Sequence, residues 1–333
     1  MKKKTNIKIS MILALFITAL FISSCDWLGG SSNPLAERAT GIRGIDLMIS
    51  DYPEDEVYKG DQFSYTLELE NNGYATSERS KLIARSSPYF KRLNGEDVVL
   101  IENLAGKNKN PSGGYKGPFL NRFQVTDIPG GLAQQTISFA ASLCYSYQTN
   151  AAVFVCGGKN DDLSAGDSQE CDAIDRNSEL LSGGQGAPIA VTSIEHQLIP
   201  VSDGSTHVTR FTFEIANMGD GNVYADAGGT AGLDDACSAT PSSEITNTLD
   251  YQVDFGSKGR YNSKTDTRDG LSCSPRKLSF DDGSEIPKIT CVQDESTAFP
   301  LGSSIGIPVR ITLNYIYQEG ESIPITFRNL EGN

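Results

Sequence analysis

The chain has 333 residues and a formal charge of −14, from 42 acidic and 28 basic side chains, with two histidines and seven cysteines. A surface this acidic repels phosphate backbones, so nucleic acid is not an expected partner. Two histidines also leave little material for a catalytic triad or a histidine-rich metal site.

The first stretch, Met1 to Cys25, has the organisation of an export signal. Lys2, Lys3, Lys4 and Lys8 make a basic start, Met11 to Ile22 an apolar block, and Ser23-Ser24-Cys25 a small-residue end. A secretory signal needs those three parts in that order. The apolar run is too short for a membrane span, which wants about 20 residues. Ile22-Ser23-Ser24-Cys25 resembles the processing box of bacterial and archaeal lipoproteins, which implies residues 1–24 as signal peptide and lipidation of Cys25. Stable anchoring takes more than one acyl chain on that cysteine. Asp26 resembles a retention signal for the inner membrane where a sorting pathway exists. Removing the four lysines of the signal takes the charge from −14 to −18. Residues 25–40 mix Gly, Ser, Asn and Pro without hydrophobic period and read as a flexible tether. Trp27, the single tryptophan, sits beside the anchor.

Cysteine usage agrees with export. Cys144, Cys156, Cys171, Cys237, Cys273 and Cys291 are even in number, as expected of disulfides in an oxidising compartment. Pairs Cys156–Cys171 and Cys273–Cys291 would close short loops worth about 3 kcal/mol each in the entropic description. Cys144 and Cys237 are then left either to bridge the two halves or to stay free. Close C-x-x-C pairs are absent, so zinc is not expected at these cysteines.

The remaining chain reads as strands. Ile45–Ile49 opens a first half, and Phe63, Tyr65, Leu67 and Leu69 alternate with polar neighbours, a period of two with one buried face. Leu82–Ala84, Val98–Ile101 and Phe119–Val125 are shorter candidates. Ile137, Phe139, Ala141, Leu143, Tyr145, Tyr147, Ala151, Val153 and Val155 share one parity, with Cys144 and Cys156 on the other. Leu181-Ser-Gly-Gly-Gln-Gly-Ala-Pro188 reads as a Gly-rich connector. Ile189–Ile199, Phe211–Ile215, Leu249–Phe255, Lys277–Phe280, Ile286–Val292, Val309–Tyr317 and Ile323–Phe327 follow in a second half.

The halves echo each other. Thr66-Leu-Glu-Leu-Glu-Asn-Asn-Gly73 matches Thr212-Phe-Glu-Ile-Ala-Asn-Met-Gly219, and Leu143-Cys-Tyr-Ser-Tyr-Gln148 matches Leu313-Asn-Tyr-Ile-Tyr-Gln318. The expected fold is therefore all-β, two tandem immunoglobulin-like antiparallel sandwiches at 41–182 and 189–333 joined by a 183–188 linker, with no helices. A cut near Gly186 is expected to leave each half able to fold.

An opening strand, a long strand ending in Asn-x-Gly and a late Tyr-x-Tyr strand resemble the immunoglobulin-like CARDB (cell-adhesion-related) modules of bacterial and archaeal surfaces. The connector and paired modules also resemble uncharacterised archaeal envelope proteins. The likeness spans most of residues 41–329 and departs from compact examples at the Ser86–Gly131 and Tyr224–Thr248 inserts. It implies a surface binding or spacer module and carries over no catalytic residues.

No motif adds chemistry. G-x-S-x-G, H-E-x-x-H and G-x-x-x-x-G-K-[ST] are all missing from the sequence. His196 is read as an outward strand residue and His207 as exposed at a strand start. The acidic runs Asn160–Asp167 and Asp220–Asn222 are read as solvated loops rather than calcium sites. The expectation is a non-enzymatic, lipid-anchored cell-surface protein facing the extracytoplasmic side, without cofactor, catalytic residues or metal. Its partners would be the membrane, through Cys25, and an extracellular protein or glycan. The alternative is an exported carbohydrate-binding or enzyme-like protein with its site in the 86–131 insert, where Tyr89, Phe90, Tyr115 and Phe119 cluster.

Overall fold

The computed structural model describes residues 39–53, 56–85, 87, 89–108, 114, 116–126, 134–157, 177–202, 204–280, 286–300 and 305–328. Cys25, Trp27, Tyr115, the Asn160–Asp167 run and Cys171 lie outside them. The strands of the first half are β1 (Ile45–Ser50), β2 (Val57–Tyr58), β3 (Gln62–Asn71), β4 (Ser77–Arg85), β5 (Phe90–Asn94), β6 (Val98–Leu104), β7 (Lys116–Val125) and β8 (Gln134–Gly157). The second half contributes β9 (Ile189–Pro200), β10 (Thr206–Asn217), β11 (Asn222–Ala225), β12 (Thr248–Asp254), β13 (Arg260–Asn262) and β14 (Thr267–Asp269). It continues with β15 (Leu271–Ser274), β16 (Leu278–Ser279), β17 (Lys288–Gln293), β18 (Phe299–Pro300) and β19 (Ile305–Arg328). Two short helices, α1 (Asn177–Leu181) and α2 (Gly229–Ala236), were not expected from the pattern. With five and eight residues they lack the length at which a helical period becomes legible.

The protein is an all-β sandwich. A ten-stranded sheet runs β14-β13-β12-β19-β8-β4-β6, with β2 and β11 also on β19 and β16 on β12. Two smaller sheets, β1-β3-β7-β5 and the group β15-β17-β10-β18 with β9 on β10, share a core with it. The parity read in the sequence holds along β8: Phe139, Leu143, Tyr145, Tyr147, Val153 and Val155 enter that core. Cys144 faces the other side.

The expected split into modules 41–182 and 189–333 takes a different form. β8 and β19 pair antiparallel over their whole length, from Ile305 opposite Gly157 to Arg328 opposite Gln134. One core draws on both halves, and Phe327 of β19 lies 4.6 Å from Phe90 and 6.4 Å from Phe63. Residues Ala39–Asn333 accordingly form a single compact unit. Unpaired backbone along either long strand is costly to bury, which is why the halves fuse instead of standing as beads. The 183–188 linker is also not a free connector. Gly184 to Pro188 are buried, Gly41 N–H donates to Gly183 O at 2.6 Å, Tyr74 N–H to Gly186 O at 2.7 Å, and Gln185 bridges both polar groups of Val191.

The duplication is nonetheless real, and it appears as symmetry. Tyr145 stands opposite Tyr317 and Tyr147 opposite Tyr315, flanking the Ser146–Ile316 pair. The two Tyr-x-Tyr echoes thus exchange places about a local pseudo-twofold axis through that pair. Around it β1 on β3 sets Ile45 opposite Asn71, and β9 on β10 sets Ile189 opposite Asn217. β4 flanks β8 as β11 flanks β19.

Three local expectations change. The Ser86–Gly131 stretch is not an appended loop, since it supplies β5, β6 and β7. Phe90 is a core residue, and Tyr89 and Phe119 pack against the core. His196 lies opposite Phe211 on the core-facing side of β9, half-buried, and burial lowers its pKa. His207 is buried within β10, next to Phe299 of β18 across the sheet.

Cys273 and Cys291 bond as directly opposed residues of β15 and β17, with Cα atoms 4.0 Å apart. Replacing both by alanine is expected to cost about 3 kcal/mol, the entropic value for so short a loop. Urea unfolding of the variant against the oxidised chain measures this, and a loss below about 1 kcal/mol contradicts it. Cys144 and Cys237 also bond, taking the bridging arrangement and joining the halves. Cys156 is buried and disulfide-bonded.

Candidate functional site

At the pseudo-twofold axis four tyrosines crowd together. Ring centroids of Tyr145 and Tyr147 lie 5.5 Å apart, Tyr145 and Tyr317 5.8 Å, and Tyr147 and Tyr315 6.4 Å. Each ring is buried, so each hydroxyl needs a partner. The partners fall into two symmetric sets.

The outer pair, Tyr147 and Tyr317, clamp the Asn-x-Gly turns. Tyr147 donates to Asn71 Oδ1 at 3.2 Å, and that oxygen also accepts the Gly73 N–H at 3.1 Å. Tyr317 donates to Asn217 Oδ1 at 3.0 Å, and that oxygen accepts the Gly219 N–H at 3.2 Å. The Asn71 amide then donates to Ala75 O at 3.0 Å, and the Asn217 amide to Gly221 O at 2.9 Å. A Cβ on Gly73 would overlap the Tyr147 hydroxyl, and one on Gly219 the Tyr317 hydroxyl. The repeated sequence Asn-x-Gly and the repeated Tyr-x-Tyr are therefore two ends of one clamp. Burial pushes the Tyr317 phenol up to about 12 and raises Tyr147 further, so both stay neutral donors.

The inner pair, Tyr145 and Tyr315, hold the opening strands. Ile45 N–H donates to the Tyr145 oxygen at 3.2 Å, and the Tyr315 hydroxyl is bonded to the Ile189 backbone. Here the symmetry breaks. Tyr315 shares a hydrogen bond of 3.0 Å with Thr149, a fully buried neutral hydroxyl that also donates to Ile189 O at 2.6 Å. Tyr145 donates instead to Glu319 Oε1 at 3.2 Å. Counted along the echo from Tyr145 to Tyr315, Glu319 is the counterpart of Thr149.

Glu319 opens onto a cleft of about 380 Å³ between the halves. Its lining includes Arg43, Gly44 and Asp46 from the first half, Pro188 from the linker, and Asp220 and Glu321 from the second half. Asp46 is held by Arg43 at 3.1 Å and by the Asn72 amide at 2.8 Å. Burial above all, then the nearby Asp46 and Asp220 carboxylates, push Glu319 up to about 7, against the opposing pull of the Tyr145 hydrogen bond. Arg85, on β4, lines the groove that adjoins this cleft past Glu319 and Glu321.

The sequence-based site residues distribute as follows. Cys144, Cys237, Cys273 and Cys291 form two bridges, Cys156 is bonded, and Cys25 and Cys171 lie outside the described residues. Asp220, expected in a solvated loop, lines the cleft. Among the described residues no group of three or more His, Cys, Asp or Glu is placed to hold a metal ion. Glu319 escaped the sequence reading, although extending the Tyr-x-Tyr-Gln echo by one residue sets it against Thr149.

No protein-family model matches the sequence, that of the CARDB modules included, and no curated protein matches it. Among solved structures, a DUF4466 family protein from Parabacteroides merdae is 8% identical, with 81% of this chain and 99% of that one aligned, at a TM-score of 0.17. The B domain of a biofilm-associated protein is 9% identical, with 82% of this chain and 72% of that one aligned, at a TM-score of 0.15. Scores this low establish no common fold with either.

Proposed function

We propose that the chain is a non-enzymatic, lipid-anchored cell-surface protein that binds or spaces an extracellular protein or glycan. The observation that carries this reading is the pair of bridges, Cys144–Cys237 and Cys273–Cys291, stapling an all-β body. Disulfides of this kind persist in oxidising compartments outside the cytoplasm. They sit downstream of a basic, apolar and small-residue leader ending at Cys25, followed by a Gly/Ser/Asn/Pro tether. Within 86–131, Phe90 lies in the core and Tyr89 and Phe119 pack partly buried against it, as residues that pin this stretch to the sandwich would.

Mass spectrometry of the mature N-terminus tests the anchor. Acyl groups on Cys25 are expected, and Cys25→Ala should move the protein from the membrane fraction to the soluble one. An unmodified terminus at another residue ends the lipoprotein reading. A glycan and protein array probed with the ectodomain then addresses the partner.

A further inference from the structure

We propose that the open edge of β6 is a docking strand for an extended peptide of a partner protein, one with a short apolar run between basic residues. β6 ends the ten-stranded sheet and pairs with β4 on one side. Ala84 N–H donates to Asp97 O at 2.9 Å, which fixes the parity of the ladder. Val99 and Ile101 therefore commit their backbone groups to β4, while Val98, Leu100 and Glu102 point theirs outward. Leu104 keeps the same parity, and its carbonyl is taken by the Asn71 amide at 2.9 Å. Among the described residues nothing takes the outward groups of Val98, Leu100 or Glu102.

Both faces of this edge are apolar. On the core side lies a groove of about 360 Å³, lined by Leu67, Leu82, Ala84, Val99 and Phe119. On the other side Leu100 and Val98 are 64% and 43% exposed. A strand added to β6 would send alternate side chains into the groove and the others over Leu100. Pro118 of β7, across the groove, has no N–H to offer, so β6 is the better template. Edge strands are ordinarily blunted by lysine, proline or a bulge. Val98 to Ile101 carry none of these.

Charge names the occupant. Glu96 and Glu102 flank the apolar run, and among the described residues neither has an ion pair. The basic side chains across from β6 are turned to other acids, Arg79 to Asp226 and Lys81 to Asp234. At about 3.3 Å per residue the two carboxylates stand roughly 20 Å apart, the span of a short strand with a basic residue at each end. A second copy of the chain fits less well. It would gather Glu96 and Glu102 of both copies on one seam, between bodies of net charge −14.

The probe is the synthetic peptide Lys-Lys-Val-Thr-Val-Thr-Val-Lys-Lys, titrated onto the full chain and followed by fluorescence anisotropy. It should bind saturably, whereas the same peptide with Glu for Lys, or with its central amides N-methylated, should not. On binding, the Val98, Leu100 and Glu102 amides should gain hydrogen-exchange protection, while those of Val99 and Ile101, already bonded to β4, should not change. Leu100→Lys charges an exposed site and should weaken binding about tenfold without lowering the thermal midpoint. A Glu96→Gln/Glu102→Gln variant should lose the preference for basic over acidic flanks. Equal binding of both peptides, unchanged protection along β6, or pairing of the chain with itself through β6 in place of peptide uptake would overturn the proposal. It rests on the reading of the chain as a surface binding protein, and the two fail separately. An acylated chain that takes no peptide loses this inference alone, and an unacylated chain that takes it loses only the anchor.

Discussion

Replacing Asn71 by alanine is expected to cost about 4 kcal/mol, and the same change at Asn217 only about 1 kcal/mol. The two residues occupy symmetric places and share three of their bonds, so their difference reports burial together with the one further bond that Asn71 makes. Asn71 is fully buried and serves four groups: it donates to Ala75 O and Leu104 O and accepts from Gly73 N–H and the Tyr147 hydroxyl. Its removal strands those partners away from water, where each unsatisfied polar group costs about 1–3 kcal/mol. Asn217 is exposed and lacks the counterpart of the Leu104 bond, its Gly219 and Gly221 partners lie in a partly exposed turn, and the Tyr317 hydroxyl keeps the Gly221 N–H. Urea midpoints of the two single variants decide the matter. Equal losses would mean that the clamp acts through the turn itself and not through its burial.

The second large effect is expected at Cys144–Cys237. This bridge spans 93 residues of chain, so its loss in a Cys144→Ala/Cys237→Ala variant should cost about 4–5 kcal/mol in the entropic description. The local structure explains why a bridge is needed there. It holds α2 and its flanks over the outer face of the large sheet, where Tyr224, Leu233, Ala236, Ile245 and Ile316 make a small second core. An eight-residue helix with no side-chain cap is not stable alone. The polar ties to β4, Lys81–Asp234 at 2.6 Å and Arg79–Asp226 at 3.3 Å, are partly solvated and contribute little. Proteolysis of the variant should therefore begin within 226–247, before the sheets open. A variant that matches the native chain in both denaturation and cleavage would contradict this.

Much of the body was readable from alternation. The parity of Phe63 to Leu69 and of Phe139 to Val155 predicts the buried faces of β3 and β8, because a strand has one geometric period and the core selects it. The Asn-x-Gly and Tyr-x-Tyr echoes predict a duplication, and the structure joins them side chain to side chain. What alternation cannot carry is pairing at a distance. Nothing local in Gln134–Gly157 says that its partner is Ile305–Arg328, so two modules were expected where one fused sandwich exists. The buried linker was hidden for the opposite reason. A Gly-rich run looks mobile, but its glycines let backbone approach backbone between Thr40–Gly44 and Tyr74. Glu319 was masked by abundance, since one carboxylate among 42 acidic residues acquires meaning only through its place opposite Thr149 about the axis.

The fusion of β8 with β19 also dictates the order in which the protein can be completed. β8 emerges early in synthesis and must wait, with one long edge unpaired, until the far half of the chain supplies β19. Contacts so distant in sequence form slowly. The same delay leaves a long strand edge open to pairing with other chains. A net charge of −14 sets copies of the chain to repel one another, which opposes such pairing.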